Sequence, residues 1–98
     1  MYRILIADDE VKIREVIREY AEFEGYSVDE ASDGMQAIEM CKTVSYDAVI
    51  LDVMMPKLDG FSACKEIRRI ADIPILMLSA RGEEYDKLLA SKWVWMIM

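Results

Sequence analysis

Ala48-Val49-Ile50-Leu51-Asp52 is an apolar run that ends on a carboxylate. Four consecutive apolar residues mark a strand buried on both faces, which in a short α/β chain is the centre of a parallel sheet. Asp52 then stands at the strand's carboxyl end. Open parallel sheets bind ligands at that end, so an acid there is placed for chemistry more than for packing.

Upstream, Arg3-Ile4-Leu5-Ile6-Ala7 is a second apolar run, and it stops at Asp8-Asp9-Glu10. Asp8 or Asp9 can cap the helix that follows, where Ile13, Val16, Ile17, Tyr20 and Ala21 keep helical spacing up to a stop at Gly25. Tyr26–Ala31 alternates and carries acids, as suits an edge strand. Ser32-Asp33-Gly34 turns into a second helix with Ala37, Ile38 and Cys41 on its buried stripe. Downstream of Asp52, Pro56 and the pair Asp59-Gly60 mark a fixed loop and the start of a third helix, with Phe61, Cys64, Ile67, Ile70 and Ala71 as its apolar stripe. Pro74–Ser79 is another apolar strand, ending on a hydroxyl before the small Ala80, and a fourth helix is expected from about Gly82 through Leu89. Strand then helix, repeated with right-handed crossovers, predicts an α/β fold built on a doubly wound parallel sheet.

With 98 residues and 54% apolar content, the chain suffices for one small domain. Twelve Lys and Arg against 19 Asp and Glu give a net charge of −7, which argues against a nucleic-acid surface. No apolar run reaches the ~20 residues of a membrane span, so no membrane contact and a cytoplasmic location are expected. Cys41 and Cys64 read as buried free thiols, because no His or third Cys completes a ligand set.

Parallel strands bring their carboxyl ends to one edge, so Asp8, Asp9, Asp52 and Ser79 should converge. Carboxylates this close repel one another, and a hard divalent cation with oxygen ligands and retained waters, Mg²⁺, relieves the repulsion. Such a site can accept a phosphoryl group on a carboxylate, with Asp52 as nucleophile because it stands alone at the central strand's end.

Three segments carry a family resemblance: Ile-Leu-Ile-Ala-Asp-Asp-Glu at 4–10, Val-Ile-Leu-Asp-Val-Met-Met-Pro-Lys-Leu-Asp-Gly at 49–60, and Pro-Ile-Leu-Met-Leu-Ser-Ala-Arg at 74–81. Together they resemble the receiver domain of bacterial two-component response regulators, in the branch that carries a winged-helix DNA-binding domain. The resemblance implies a flavodoxin-like fold, a doubly wound parallel sheet in the order 2-1-3-4, and a phosphoacceptor at Asp52, supplied by a sensor histidine kinase and regulating transcription. It implies Mg²⁺ on Asp9, Asp52 and the Met54 backbone carbonyl, with Asp8 acting through water. Ser79 and Ala80 would be the switch positions, and Pro56 and Gly60 the loop positions. On this reading the chain is no enzyme beyond slow self-dephosphorylation.

The resemblance covers residues 2 to about 89, so an incomplete receiver domain is expected over 1–89, followed by an aberrant apolar tail at 90–98. The family's phosphate-pairing lysine, in a Lys-Pro segment at the end of a fifth strand, has no counterpart, and Lys92 lacks the following proline. Back-translated and read one base earlier, Ala90–Met98 permits Gly-Phe at its start and Asp-Asp-Tyr at its end, so the tail reads as a frameshifted receiver sequence. An apolar tail replacing the fifth strand and helix is expected to leave apolar sheet surface beside the first helix. That surface favours a homo-oligomer, with exchanged elements as one geometry. Two competing readings stand beside the signalling receiver. One is a non-signalling chain that assembles through its tail. The other is a Mg²⁺-dependent phosphatase with an aspartyl nucleophile, although such an enzyme would place a second Asp two residues past the nucleophile as acid/base, and here that residue is Met54.

Overall fold

A computed structural model describes residues 1–80 and 93–97 of the chain. Its elements are β1 (Arg3–Ala7), α1 (Val11–Phe23), β2 (Ser27–Ala31), α2 (Gly34–Thr43), β3 (Ala48–Asp52), α3 (Gly60–Arg68), β4 (Ile75–Ala80) and β5 (Trp93–Ile97). The expected fourth helix and Lys92 lie outside the described residues.

The sheet runs β2-β1-β3-β4-β5. Its first four strands are parallel in the expected 2-1-3-4 order, with Ile6 opposite Ile50 and Asp52 opposite Leu78. β5 pairs antiparallel with β4, with Ser79 opposite Val94 and Ala80 opposite Trp93. A parallel fifth strand needs a crossover back to the far end of the sheet, whereas an antiparallel one pairs directly on its return. Segment 93–97 therefore stands in the fifth-strand position with reversed direction.

Alternation along each central strand divides the apolar residues between two layers. On one face Leu5, Ala7, Val49, Leu51, Ile75 and Met77 pack into a closed core with Ala37, Ala63, Cys64 and Ile67 of α2 and α3. On the other face α1 packs on β1 and β2, and Ile4, Ile50 and Leu76 stay half-buried. Of the α1 stripe only Ile13 is buried, and Tyr20 is 63% exposed. α3 ends at Arg68, so Ile70 falls outside it and is exposed, as is Phe61 at its start. Both cysteines are free thiols, Cys64 buried and Cys41 half-buried.

Among the described helices, side-chain caps set two of the three starts. Asp33 accepts from the Gln36 N–H at 2.8 Å and Asp59 from the Ser62 N–H at 2.8 Å, which satisfies donors the first turn leaves free. α1 departs from expectation: its N-cap is Glu10, without a side-chain cap, and Asp8 instead accepts from the Glu10 N–H. Asp8 thus belongs to the turn before the helix, two residues ahead of the capping position.

Candidate functional site

The site lies where β1 and β3 end. Asp8 directly follows β1 and is 1% exposed, Asp52 is the last residue of β3 and is 5% exposed, and Asp9 is exposed. One carboxylate oxygen from each falls within 4.8 Å of the others. The convergence expected from parallel strands is present for these three acids. Ser79 lies near the end of β4, one residue past the Asp52–Leu78 pair. Met54 is tied to the site by its N–H, which donates to Asp52 Oδ1 at 3.4 Å, a long contact.

Asp8 is held on three sides. Its N–H donates to the Ala31 carbonyl at 3.1 Å, its own carbonyl accepts from Arg14 Nη1 at 2.5 Å, and its Oδ1 accepts from the Glu10 N–H at 2.8 Å. Its Oδ2 is buried and has no hydrogen-bond partner. A buried carboxylate oxygen without a donor costs free energy unless a proton or a cation meets it. Burial accordingly pushes the Asp8 carboxyl up to about 7, against the lowering effect of the Glu10 N–H and with the help of the nearby Asp52 and Asp9 charges. Burial likewise pushes Asp52 up to about 6, opposed by the Met54 N–H and reinforced by Asp9. No lysine among the described residues forms an ion pair with these acids. Lys57 pairs at 3.7 Å with Asp33.

The loop after Asp52 brings α3 against the strand end. Gly60 donates its N–H to the Val53 carbonyl at 2.9 Å, and a Cβ on Gly60 would sit 2.2 Å from the Asp52 carbonyl oxygen. Only glycine permits that approach. Pro56 accepts from the Leu58 N–H at 2.7 Å, closing a tight turn in which Lys57 takes φ +68°. Both loop residues singled out in the sequence thus shape the segment that follows Asp52.

Sequence reasoning missed Arg14 and Glu30. The acids of β2 read as edge-strand charges, yet Glu30 accepts from Arg14 Nε at 2.8 Å and is also bonded by Arg18 Nη1. Burial opposes ionisation of Glu30, but the two guanidiniums hold its carboxyl below the ordinary range. The available signal was Arg14 and Arg18 at i, i+4 on α1, with an acid in the strand that follows.

Residues 4–93 match the response regulator receiver domain family. The chain belongs to that family. This receiver is 42% identical over 89 residues to the transcriptional regulatory protein CpxR homolog of Haemophilus influenzae, covering 91% of the chain and 39% of that protein. It is 44% identical over 86 residues to the transcriptional regulatory protein ResD of Bacillus subtilis, covering 88% and 36%. It therefore spans well under half the length of these curated relatives. Among solved structures, the response regulator TrrA of Thermotoga maritima in complex with Mg(2+)-BeF is 39% identical with a TM-score of 0.79, covering 90% of this chain and 77% of that one. The Francisella response regulator 1452 receiver domain is 35% identical with a TM-score of 0.77, covering 94% and 78%. No helix among the described residues is long and apolar enough to cross a membrane.

Proposed function

We propose that this receiver accepts a phosphoryl group on Asp52 from the phosphohistidine of a sensor kinase, with Mg²⁺ at the acidic cluster. The observation that carries the reading is the buried, unpartnered Asp8 Oδ2 grouped with carboxylate oxygens of Asp9 and Asp52. An all-oxygen set of three carboxylates suits a hard divalent cation, so the residues present fit Mg²⁺. Asp9, Asp52 and the Met54 carbonyl would hold it, with Asp8 acting through water. Bound there, Mg²⁺ offsets the carboxylates' repulsion and the charge on the phosphoryl oxygens.

The chain's own residues do the rest. Asp52, at the end of the central strand, directs its carboxylate to phosphorus. As the new O–P bond forms, the P–N bond of the donor breaks and the imidazole keeps the electron pair. Asp52, pushed up only to about 6, is mostly ionised at neutral pH and can act as the nucleophile. Gly60 and the Pro56 turn keep the loop close to the strand end. Ser79 and Ala80 follow the strand-end register and would report phosphorylation as the switch positions. The longer relatives are named transcriptional regulatory proteins, and regulation of transcription is proposed as the output of the protein to which this receiver belongs.

Intact mass after incubation with a small acyl-phosphate donor tests this. One phosphoryl group is expected on the parent chain with Mg²⁺, and none without Mg²⁺ or on Asp52→Asn. Equal gain by Asp52→Asn, or none by the parent, overturns the assignment. Sustained phosphate release from a simple phosphate ester would point instead to a phosphatase, but Met54 offers no side-chain acid for that chemistry.

A second reading concerns assembly. Residues 1–89 would form the receiver and 90–98 an appended tail through which two copies associate. The half-buried Ile50 and Leu76, and β5 at the sheet's outer edge, favour it. Light scattering is expected to give a dimer mass or larger, reverting to a monomer when residues 93–98 are deleted.

A further inference from the structure

We infer that Arg14, held by Glu30, is a positioning residue of the acidic site: it fixes the turn that presents Asp8 to the cation. The inference rests on the Mg²⁺ reading above and adds to it two residues that do not touch the metal. Arg14 is the fourth residue of α1, and helical side chains lean toward the helix N-terminus, so its guanidinium reaches back over the Asp8–Glu10 turn. Nη1 donates to the Asp8 carbonyl and Nε to Glu30 Oε1 at 2.8 Å. The Arg14 side chain is only 13% exposed, and Glu30 stands opposite Ile6 of β1 in the sheet register. The guanidinium therefore ties three elements together: the turn after β1, the first turns of α1, and β2.

Two features separate this arrangement from a generic surface ion pair. First, Arg14 bonds the backbone of Asp8 and leaves its carboxylate alone. With the Asp8 N–H on Ala31 and Oδ1 on the Glu10 N–H, every Asp8 polar atom is committed except Oδ2. The frame leaves one oxygen for the cation. Second, a bare guanidinium next to a cation site would repel the cation. Glu30 supplies the countercharge and holds the planar fork in position.

This predicts an effect whose sign distinguishes positioning from charge. Removing a positive charge beside three carboxylates should by electrostatics alone tighten Mg²⁺ binding. Loss of a positioning contact should weaken it, by roughly tenfold or more, as for other groups that orient metal ligands. Calorimetric Mg²⁺ titration of the parent, Arg14→Gln, Arg14→Lys, Glu30→Gln and Arg3→Gln decides between them. Arg3→Gln removes the same charge at the opposite end of β1, where Arg3 pairs with Asp29 at 2.9 Å, and is the control for charge and stability. Weaker binding is expected for Arg14→Gln and Glu30→Gln, partial recovery for Arg14→Lys, and no loss for Arg3→Gln. Urea midpoints without metal identify any variant that does not fold, and Arg14→Lys, which keeps the charge but not the planar fork, carries the test if Arg14→Gln is one: binding weaker than the parent's is then expected, and equal binding overturns the inference. Binding by Arg14→Gln and Glu30→Gln as tight as the parent's, or tighter, overturns the inference and leaves the metal site standing. A parent that binds no Mg²⁺ overturns the metal site and the inference with it.

Discussion

The two faces of the sheet are built from the same residue types and end in different states. On the α2/α3 face, Val49, Leu51, Ile75 and Met77 are all fully buried. On the α1 face their immediate neighbours Ile50 and Leu76 are half-buried, although Ile6 and Leu78 on the same face are sealed. Apolar strand residues do not secure their own burial; a covering layer must supply it. On this face α1 covers β1 and β2, and among the described residues no second helix covers β3 and β4 there. The acidic site sits at the top of this less complete face, since Asp8 continues the Ile4, Ile6 alternation and Asp52 continues that of Ile50.

The largest expected effect breaks the closed face. Leu51→Ala should cost about 2–5 kcal/mol by urea denaturation, because a fully buried leucine leaves a cavity. Ile50→Ala, one residue away, should cost roughly half of that or less, since only part of its side chain leaves water. Equal losses would mean that the open face is covered in solution. Next, Gly60→Ala drives a Cβ into the Asp52 carbonyl, and overpacking of this kind costs about 1–3 kcal/mol. Mg²⁺ affinity should fall with it.

The site itself sharpens the comparison through pH. Asp8 and Asp52 titrate above the ordinary value, so the folded chain binds protons more tightly than the unfolded chain. Their contribution to stability is fully present below about 3.8 and is lost as pH rises through about 6 and 7. Thermal unfolding of metal-free parent minus Asp8→Asn isolates this loss. The variant should be more stable at pH 8, because it removes a buried charge that Asp52 and Asp9 repel. Mg²⁺ at a hundred times its Kd should return about 2.7 kcal/mol to the parent and far less to the variant. A parent that gains stability between pH 5 and 8 relative to Asp8→Asn would contradict the burial argument.

The smallest effect is local. Lys57 takes φ +68°, a region that suits glycine, so Lys57→Gly should change stability by less than about 1 kcal/mol and toward stabilisation. Chemical denaturation measures it, and a larger loss would show that the 3.7 Å pair with Asp33 outweighs backbone relief.

Much of this was legible because the signals are local. Apolar runs that stop at acids at Ala7 and Leu51 mark both strand ends, and Asp33 and Asp59 cap as their positions before Gly34 and Gly60 suggest. Tyr20 misled because helical spacing shows which residues share a stripe, without showing how wide the covering layer is. Glu30 misled for the opposite reason: an acid on an edge strand looks solvated until α1 folds two arginines onto it. The reversed direction of β5 has no local signature, because an apolar strand pairs either way.

From the sequence alone follow the order and parallel direction of β1 to β4, and hence the convergence of Asp8, Asp9 and Asp52. Hydrophobic periodicity is additive along the chain and tolerates small errors of placement. Only the tertiary structure decides that Asp8 Oδ2 is the oxygen left without a donor, that Arg14 and Glu30 hold the turn around it, and that Ile50 and Leu76 stay half-buried while Leu51 and Met77 are sealed. These depend on hydrogen-bond distances and angles between residues far apart in sequence, which decay within an ångström and leave no periodic trace.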